Sequence, residues 1–174
     1  MRFSIITPTY MRADKLARAV ASVQAQTYKD WEMIIVNDSP NDDSYRQFAS
    51  SINDPRISYH VNDTNSGVNF SRNRALDRVS ADSKWVIFLD DDDYLSPDAL
   101  QTFYELTLLH GERNWFITNR AYKDGTPVTK VKVSDKAYSY IRDYLLLRRI
   151  KGDATHIINT ACIHLIRFSR HVRQ

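Results

Sequence analysis

Hydrophobic residues recur along this chain in two alternating rhythms, short apolar runs and helical spacings. The run from Arg2 to Pro8 predicts a first strand, and Leu16, Ala19, Val20 and Val23 then share one face of a helix over about residues 13–25. Trp31 to Val36 predicts a second strand. Tyr45, Phe48, Ala49 and Ile52 mark a second helix, and Arg56 to Val61 a third strand. After Gly67, the spacing of Val68, Ala75, Leu76 and Val79 predicts a third helix. Lys84 to Leu89, β-branched and aromatic in part, is the fourth strand. Ser96 is placed as the N-cap and Pro97 as the first residue of the next helix, whose buried face would carry Leu100, Phe103, Tyr104 and Leu108.

Strands alternating with helices imply an α/β fold, a mostly parallel sheet flanked by helices. Beyond Gly111 the pattern changes. Asn114 to Tyr122 and Val128 to Val133 predict a small late hairpin around Asp124-Gly125, a favoured turn pair. Tyr138 to Arg149 reads as a helix, and Thr155 to Leu165 as one or two late strands. No linker composition interrupts the 174 residues, so a single domain is expected.

Composition narrows the class. The 43% hydrophobic and 26% charged content is ordinary for a globular protein, and no apolar run reaches the length of a membrane span. A single cysteine, Cys162, excludes an internal disulfide and a cysteine metal site. That fits a reducing cytoplasm. The net charge of +3 is unevenly spread, with seven Arg or Lys against two Asp from Arg142 onward. This basic part could touch anionic lipid or nucleic acid, and a solvated surface is the favoured reading. No zinc finger, basic zipper or aromatic RNA-binding strand is present, so no nucleic acid partner is expected.

The densest chemistry is Asp90-Asp91-Asp92-Asp93, directly after the fourth strand. Adjacent carboxylates raise one another's resistance to ionisation, so positive charge must offset them. A hard divalent cation, Mn²⁺ or Mg²⁺, that also carries phosphate oxygens meets that need. The carboxyl ends of parallel strands share one edge, where open α/β sheets bind ligands. Pro8, Thr9 and Tyr10 end the first strand, Asp38 ends the second, and Arg72 follows Gly67. A ring, a lone acid, an arginine and an acid pair together suit a nucleoside diphosphate. Each also has a plainer reading: Tyr10 as packing, Asp38 as a turn cap, Arg72 as a surface ion pair and the acids as a solvated turn.

Ser4-Ile5-Ile6-Thr7-Pro8-Thr9-Tyr10, Ile34-Ile35-Val36-Asn37-Asp38-Ser39, Gly67 with Ser71-Arg72-Asn73, and Phe88-Leu89 through Asp93 with Ser96-Pro97 follow in order. Over about residues 3–110 this resembles the N-terminal, nucleotide-sugar-binding part of family 2 inverting glycosyltransferases of the GT-A fold. The resemblance implies a Rossmann-like nucleotide-diphospho-sugar transferase architecture, with a nucleotide-binding part over 1–110 and a partial acceptor side over 111–174. It implies that Pro8, Thr9 and Tyr10 line the nucleotide pocket and that Asp38 faces the base. Arg72 would hold the base or diphosphate, Asp90 and Asp91 would approach the ribose or metal, and Asp92, the last acid of the DxD motif, would bind the metal. A UDP-linked donor, a saccharide or lipid-linked glycan acceptor, and a cytoplasmic place at the inner face of the membrane are implied with it. Met11 stands where the family usually has Asn, Asn37 replaces a frequent Asp, and Ser39-Pro40 replaces a common Gly-Ser.

An inverting transferase needs a general base for the acceptor hydroxyl. In similar proteins it lies well downstream of DxD, and here Asp153 is the only acid after Asp143. The catalytic base is therefore unknown and expected beyond Gln174, in a truncated or naturally short chain. Binding of nucleotide sugar without turnover is the alternative this leaves. A phosphohydrolase would place Thr or Val where Tyr94 stands. A nucleotidyltransferase would need a Gly-rich loop where Pro8-Thr9-Tyr10-Met11-Arg12 stands, and a calcium loop is excluded by Leu95 and Gln101.

Overall fold

The structure is a computed structural model that describes residues 1–128, 154–165 and 167–168. Among these residues the fold is mixed α/β with six strands and four α-helices: β1 (Arg2–Thr9), α1 (Ala13–Gln24), β2 (Trp31–Asn37), α2 (Ser44–Ser51), β3 (Ile57–Val61), α3 (Val68–Leu76), β4 (Ser83–Phe88), α4 (Ala99–Leu109), β5 (Trp115–Asn119) and β6 (Ala154–Asn159). They divide into two compact units, one made of Met1–Asn114 with the residues from Ile158 on, the other of those between Trp115 and Ile157.

In the first unit the strands run β3-β2-β1-β4, all parallel. Central β1 is buried from Phe3 to Thr9, which is why its sequence is a continuous apolar run and not an alternating one. Helix α3 covers one face through a core of Ile6, Ile34, Val36, Ala75, Leu76 and Val86. Helix α1 buries Leu16, Ala19, Val20 and Val23, the four residues its spacing predicted. The hydrogen-bond ladder continues past the carboxyl ends of the strands. Asp38 N donates to Thr9 O at 2.9 Å, Leu89 N to Ile6 O at 3.0 Å, and Asn62 N to Asn37 O at 2.8 Å. The segments after β1, β2, β3 and β4 are thereby held side by side.

The structure departs from the sequence expectation at the start of α4, at Leu108 and at Val68. Helix α4 starts at Ala99, not Pro97, and Ser96 is not its cap. The fully buried side chain of Gln26 takes the capping role: its Oε1 accepts Leu100 N at 2.9 Å while its Nε2 donates to Ser96 O at 2.7 Å. A long-range amide thus does what a local Ser normally does for an orphan N–H of the first turn. Leu108 is 60% exposed, because Leu100, Phe103 and Thr107 turn the buried face one residue aside. Val68 is also exposed, at the open start of α3.

The late region holds a further difference. After β6 the chain turns into a 3₁₀ helix, Thr160–Leu165, and not into a second strand. Asn159 Oδ1 accepts Ala161 N at 3.0 Å, and Thr160 Oγ1 donates to Ser83 O at 2.8 Å, which end the extended run. In the second unit the Asp124-Gly125 turn forms, with Tyr122 N on Thr126 O and Val128 N on Arg120 O, both 2.8 Å, and Gly125 at φ 84°. The Trp115 indole donates to His156 Nδ1 at 3.0 Å. The strand expected to Val133, the helix Tyr138–Arg149 and Asp153 lie outside the described residues.

Candidate functional site

The parallel order brings the ends of β1, β2 and β4 and the start of α3 to one edge of the first unit. A hollow of about 460 Å³ opens there, and Pro8, Thr9, Tyr10, Asp38, Arg72, Asp90, Asp91 and Asp92 all line it. These eight residues come from four separate segments. Arg12, Asn65, Gly67, Val68 and Ser71 complete the wall.

The four acids occupy a tight turn, with Asp93 N on Asp90 O at 3.1 Å, and of the three that line the hollow Asp91 and Asp92 share Arg12 while Asp90 pairs with Arg72. Asp90 Oδ1 accepts Arg72 Nη2 at 2.7 Å. Asp91, 5% exposed, accepts Thr9 Oγ1 at 2.8 Å and Arg12 Nη1 at 3.3 Å. Asp92 Oδ2 takes the same Arg12 Nη1 at 3.0 Å, and its carbonyl takes Arg18 Nη2 at 2.7 Å. The acid run by itself calls for a divalent cation as the offsetting charge. Arg12 and Arg72 supply part of it from the chain itself.

Tyr45, read from the sequence only as a core position of α2, supports this arrangement. Its hydroxyl accepts Arg12 N–H at 3.0 Å and lies 2.6 Å from Thr9 Oγ1. With Thr9 donating to Asp91, the protons order into one chain: Arg12 N–H to Tyr45, Tyr45 O–H to Thr9, Thr9 O–H to Asp91. Burial raises the pKa of the phenol, which keeps its proton at neutral pH. Neither Tyr45 nor Arg12 had a pattern in the sequence that marked it, since each acts through partners more than thirty residues away.

Asp38 is 3% exposed and holds the loop before α3. Its Oδ1 accepts Asn62 Nδ2 at 2.6 Å and Ser66 N at 2.8 Å, and its Oδ2 accepts Gly67 N at 2.7 Å. Gly67 has φ 86°, a left-handed value that a side chain would strain. Both Asp38 oxygens are therefore engaged by the chain, and Oδ2, with one donor, retains accepting capacity.

The motif Ser71-Arg72-Asn73 sends three neighbours three ways. Ser71 Oγ accepts Asn62 Nδ2 at 2.9 Å, Arg72 reaches Asp90, and Asn73 pairs with the backbone of Phe168. The Arg72 guanidinium lies 5.3 Å from the centre of the Phe168 ring. Its Nε is buried without a hydrogen-bond partner among the described residues. A buried unpaired donor on the wall of a hollow is suited to a ligand acceptor.

Among the described residues no three His, Cys, Asp or Glu side chains gather into a cage for an ion. Mg²⁺ and Mn²⁺ bound with phosphates need only one or two protein carboxylates. The partly exposed side chains of Asp90 and Asp92 fit that donor set, and buried Asp91 fits it less well.

The chain is similar in sequence and in fold to known glycosyltransferases. TuaG of Bacillus subtilis, assigned to teichuronic acid biosynthesis as a glycosyltransferase, is 34% identical over 163 residues, 90% of this chain and 61% of its own length. Among solved structures, Staphylococcus aureus TarS 1–349 in complex with UDP superposes with a TM-score of 0.69 at 21% identity, covering 98% of this chain and 51% of that one. The mannosyltransferase PcManGT of Pyrobaculum calidifontis, solved with GDP-Man and Mn²⁺, gives 0.67 at 16% identity over 98% and 48%. At those identities the structures speak for the GT-A fold alone. The chain spans 36%, 61% and 34% of the lengths of three curated relatives it matches. The model of Glycosyl transferase family 2 matches residues 4–171, nearly the whole chain, and with the shared fold it establishes that the chain belongs to that family.

Proposed function

We propose that the hollow binds a nucleoside diphosphate sugar, UDP-linked, and that the protein transfers the sugar with inversion to a hydroxyl acceptor in the synthesis of a surface polysaccharide or lipid-linked glycan. The observation that carries the reading is the meeting of Thr9, Tyr10, Asp38, Arg72 and Asp90–Asp92 around one hollow of about 460 Å³. That size falls within the ordinary range for small-molecule sites. The name of TuaG and the UDP complex of TarS support the choice of polysaccharide and of uridine nucleotide.

The assigned roles follow from each residue's surroundings. Tyr10, half-exposed at the rim, offers a ring for the base to stack on. Asp38 Oδ2 accepts a base N–H beside the Gly67 amide. Arg72 offers its buried Nε–H to a phosphate oxygen while Asp90 holds its far end. A divalent cation at Asp92, shared with the diphosphate, would supply Lewis-acid stabilisation of the leaving group. The acceptor oxygen then attacks the anomeric carbon from the opposite face in one displacement, and its proton passes to a general base that is not assigned. No helix among the described residues is long and apolar enough to cross a membrane. We place the protein in the cytoplasm, with peripheral membrane contact through its basic late region.

Thermal unfolding with UDP and Mn²⁺ tests the site. The pair together should raise Tm more than either alone, because a ligand stabilises the state that binds it. No shift at millimolar UDP and Mn²⁺ would remove the nucleotide site.

A further inference from the structure

Arg12 stands in the mouth of the proposed site and does something that the acids alone do not explain. One of its nitrogens, Nη1, is shared between Asp91 Oδ1 at 3.3 Å and Asp92 Oδ2 at 3.0 Å. The Arg12 backbone is pinned, because its N–H is held by the buried Tyr45 hydroxyl. The side chain is about half exposed, so the guanidinium can swing while its root stays fixed.

The shorter of the two Arg12 contacts is to Asp92, the same side chain proposed for the divalent cation. Two cations on one carboxylate repel at these distances. A bare ion at Asp92 therefore competes with the guanidinium, which gives up its shorter acid contact and keeps only the longer one to Asp91. A nucleoside diphosphate changes that balance, because its phosphate oxygens give the displaced guanidinium a new anion, and a guanidinium matches phosphate geometry well.

We propose that Arg12 is an exchangeable counter-cation that makes the acid turn discriminate against bare metal and accept metal together with a nucleoside diphosphate. The proposal rests on the nucleotide reading of the hollow. It adds an order to binding: the acids are neutralised by Arg12 first, and the guanidinium moves from Asp91 and Asp92 to the diphosphate as the ion takes its place.

The test is titration with Mn²⁺ alone, followed by electron paramagnetic resonance of the free ion, and then with UDP in the presence of Mn²⁺, by calorimetry. Arg12→Gln and Arg12→Met remove the charge with and without a polar end, so loss of the fold in one leaves the other. Each variant should bind Mn²⁺ alone about fivefold more tightly than the wild type, the scale of a partly exposed charge pair, and should bind UDP with Mn²⁺ about fivefold more weakly. Unchanged or weaker binding of Mn²⁺ alone by both variants overturns the exchange. So does UDP binding that is indifferent to the substitutions. A wild type that takes up Mn²⁺ and no UDP overturns the nucleotide reading itself, a result separable from the other two.

Discussion

Asn73 clasps Phe168 by both backbone groups: its Nδ2 donates to Phe168 O at 2.9 Å and its Oδ1 accepts Phe168 N at 3.0 Å. The side-chain amide thus imitates a strand neighbour for one residue. Phe168 is in turn set edge-on to Phe88, with ring centres 5.3 Å apart, and presents its ring to Arg72. Arg167 adds an ion pair to Asp77 at 2.7 Å. Asn73→Ala leaves the Phe168 groups without this partner and is expected to cost about 1–3 kcal/mol, measured by chemical denaturation. With the ring released, UDP affinity should also fall, because Arg72 loses the contact that helps orient it. Unaltered stability and affinity would show the clasp to be incidental.

Asp91 and Asp92 are adjacent and should respond in opposite ways. Asp92 is partly exposed, so Asp92→Asn should leave unfolding nearly unchanged while abolishing the Mn²⁺-dependent part of the UDP-induced Tm shift. Asp91 is buried against Thr9 and Arg12, so Asp91→Asn should lower stability by about 1–3 kcal/mol, since an amide nitrogen facing either donor breaks a buried bond. Parallel thermal melts of the two variants, with and without UDP and Mn²⁺, check both. A metal response that survives in Asp92→Asn moves the ligand role elsewhere.

At the opposite end of the sheet, Asp54 is gripped by Arg56 through Nε at 2.9 Å and Nη2 at 2.7 Å. These hydrogen bonds lower the Asp54 pKa from 3.8 to about 2. A depressed carboxylate contributes stability that is fully present above its unfolded pKa and is lost as pH falls through its folded value. The stability difference between wild type and Asp54→Asn should therefore be constant above about pH 4 and shrink towards pH 2. Urea titrations across that interval test it, and a difference that does not change with pH would contradict it.

Met11 has φ 53°, the one positive value among described residues other than glycine. Its N–H donates to Ser39 Oγ at 2.9 Å, which helps hold the turn. Asn tolerates this left-handed conformation better than an unbranched apolar side chain. Met11→Asn should stabilise the protein by about 1 kcal/mol or less, read as a raised denaturation midpoint. Because Met11 is exposed, no packing is lost to offset the gain. A lowered midpoint would show that the Met side chain supports the turn.

Much of the parallel core was legible along the chain. Buried strands announce themselves as unbroken apolar runs, and helices by one apolar face, because both signals depend only on local period. The α1 face Leu16, Ala19, Val20 and Val23 is the clearest case. The convergence of Tyr10, Asp38, Arg72 and Asp90–Asp92 also followed, since parallel strands must place their carboxyl ends together. Boundaries set by distant partners did not follow: Gln26 begins α4, and Thr160 ties the end of β6 to Ser83, through bonds that no local pattern encodes.

The sequence by itself determined which residues could meet at the sheet edge, because the alternation of strands and helices implies parallel strands whose carboxyl ends share one edge; the strand order came from the tertiary structure. Only the tertiary structure decided what each residue does there. Asp91 is turned inward to Thr9 and Arg12 while Asp92 stays partly in solvent, Asp38 is spent largely on the Ser66–Gly67 loop, and Tyr45 serves the site from a helix core. The reason is that a carboxylate's character comes from the donors around it and its distance from water, and for Asp38, Asp91 and Asp92 those are set by chain segments that the sequence separates by 24 to 82 positions.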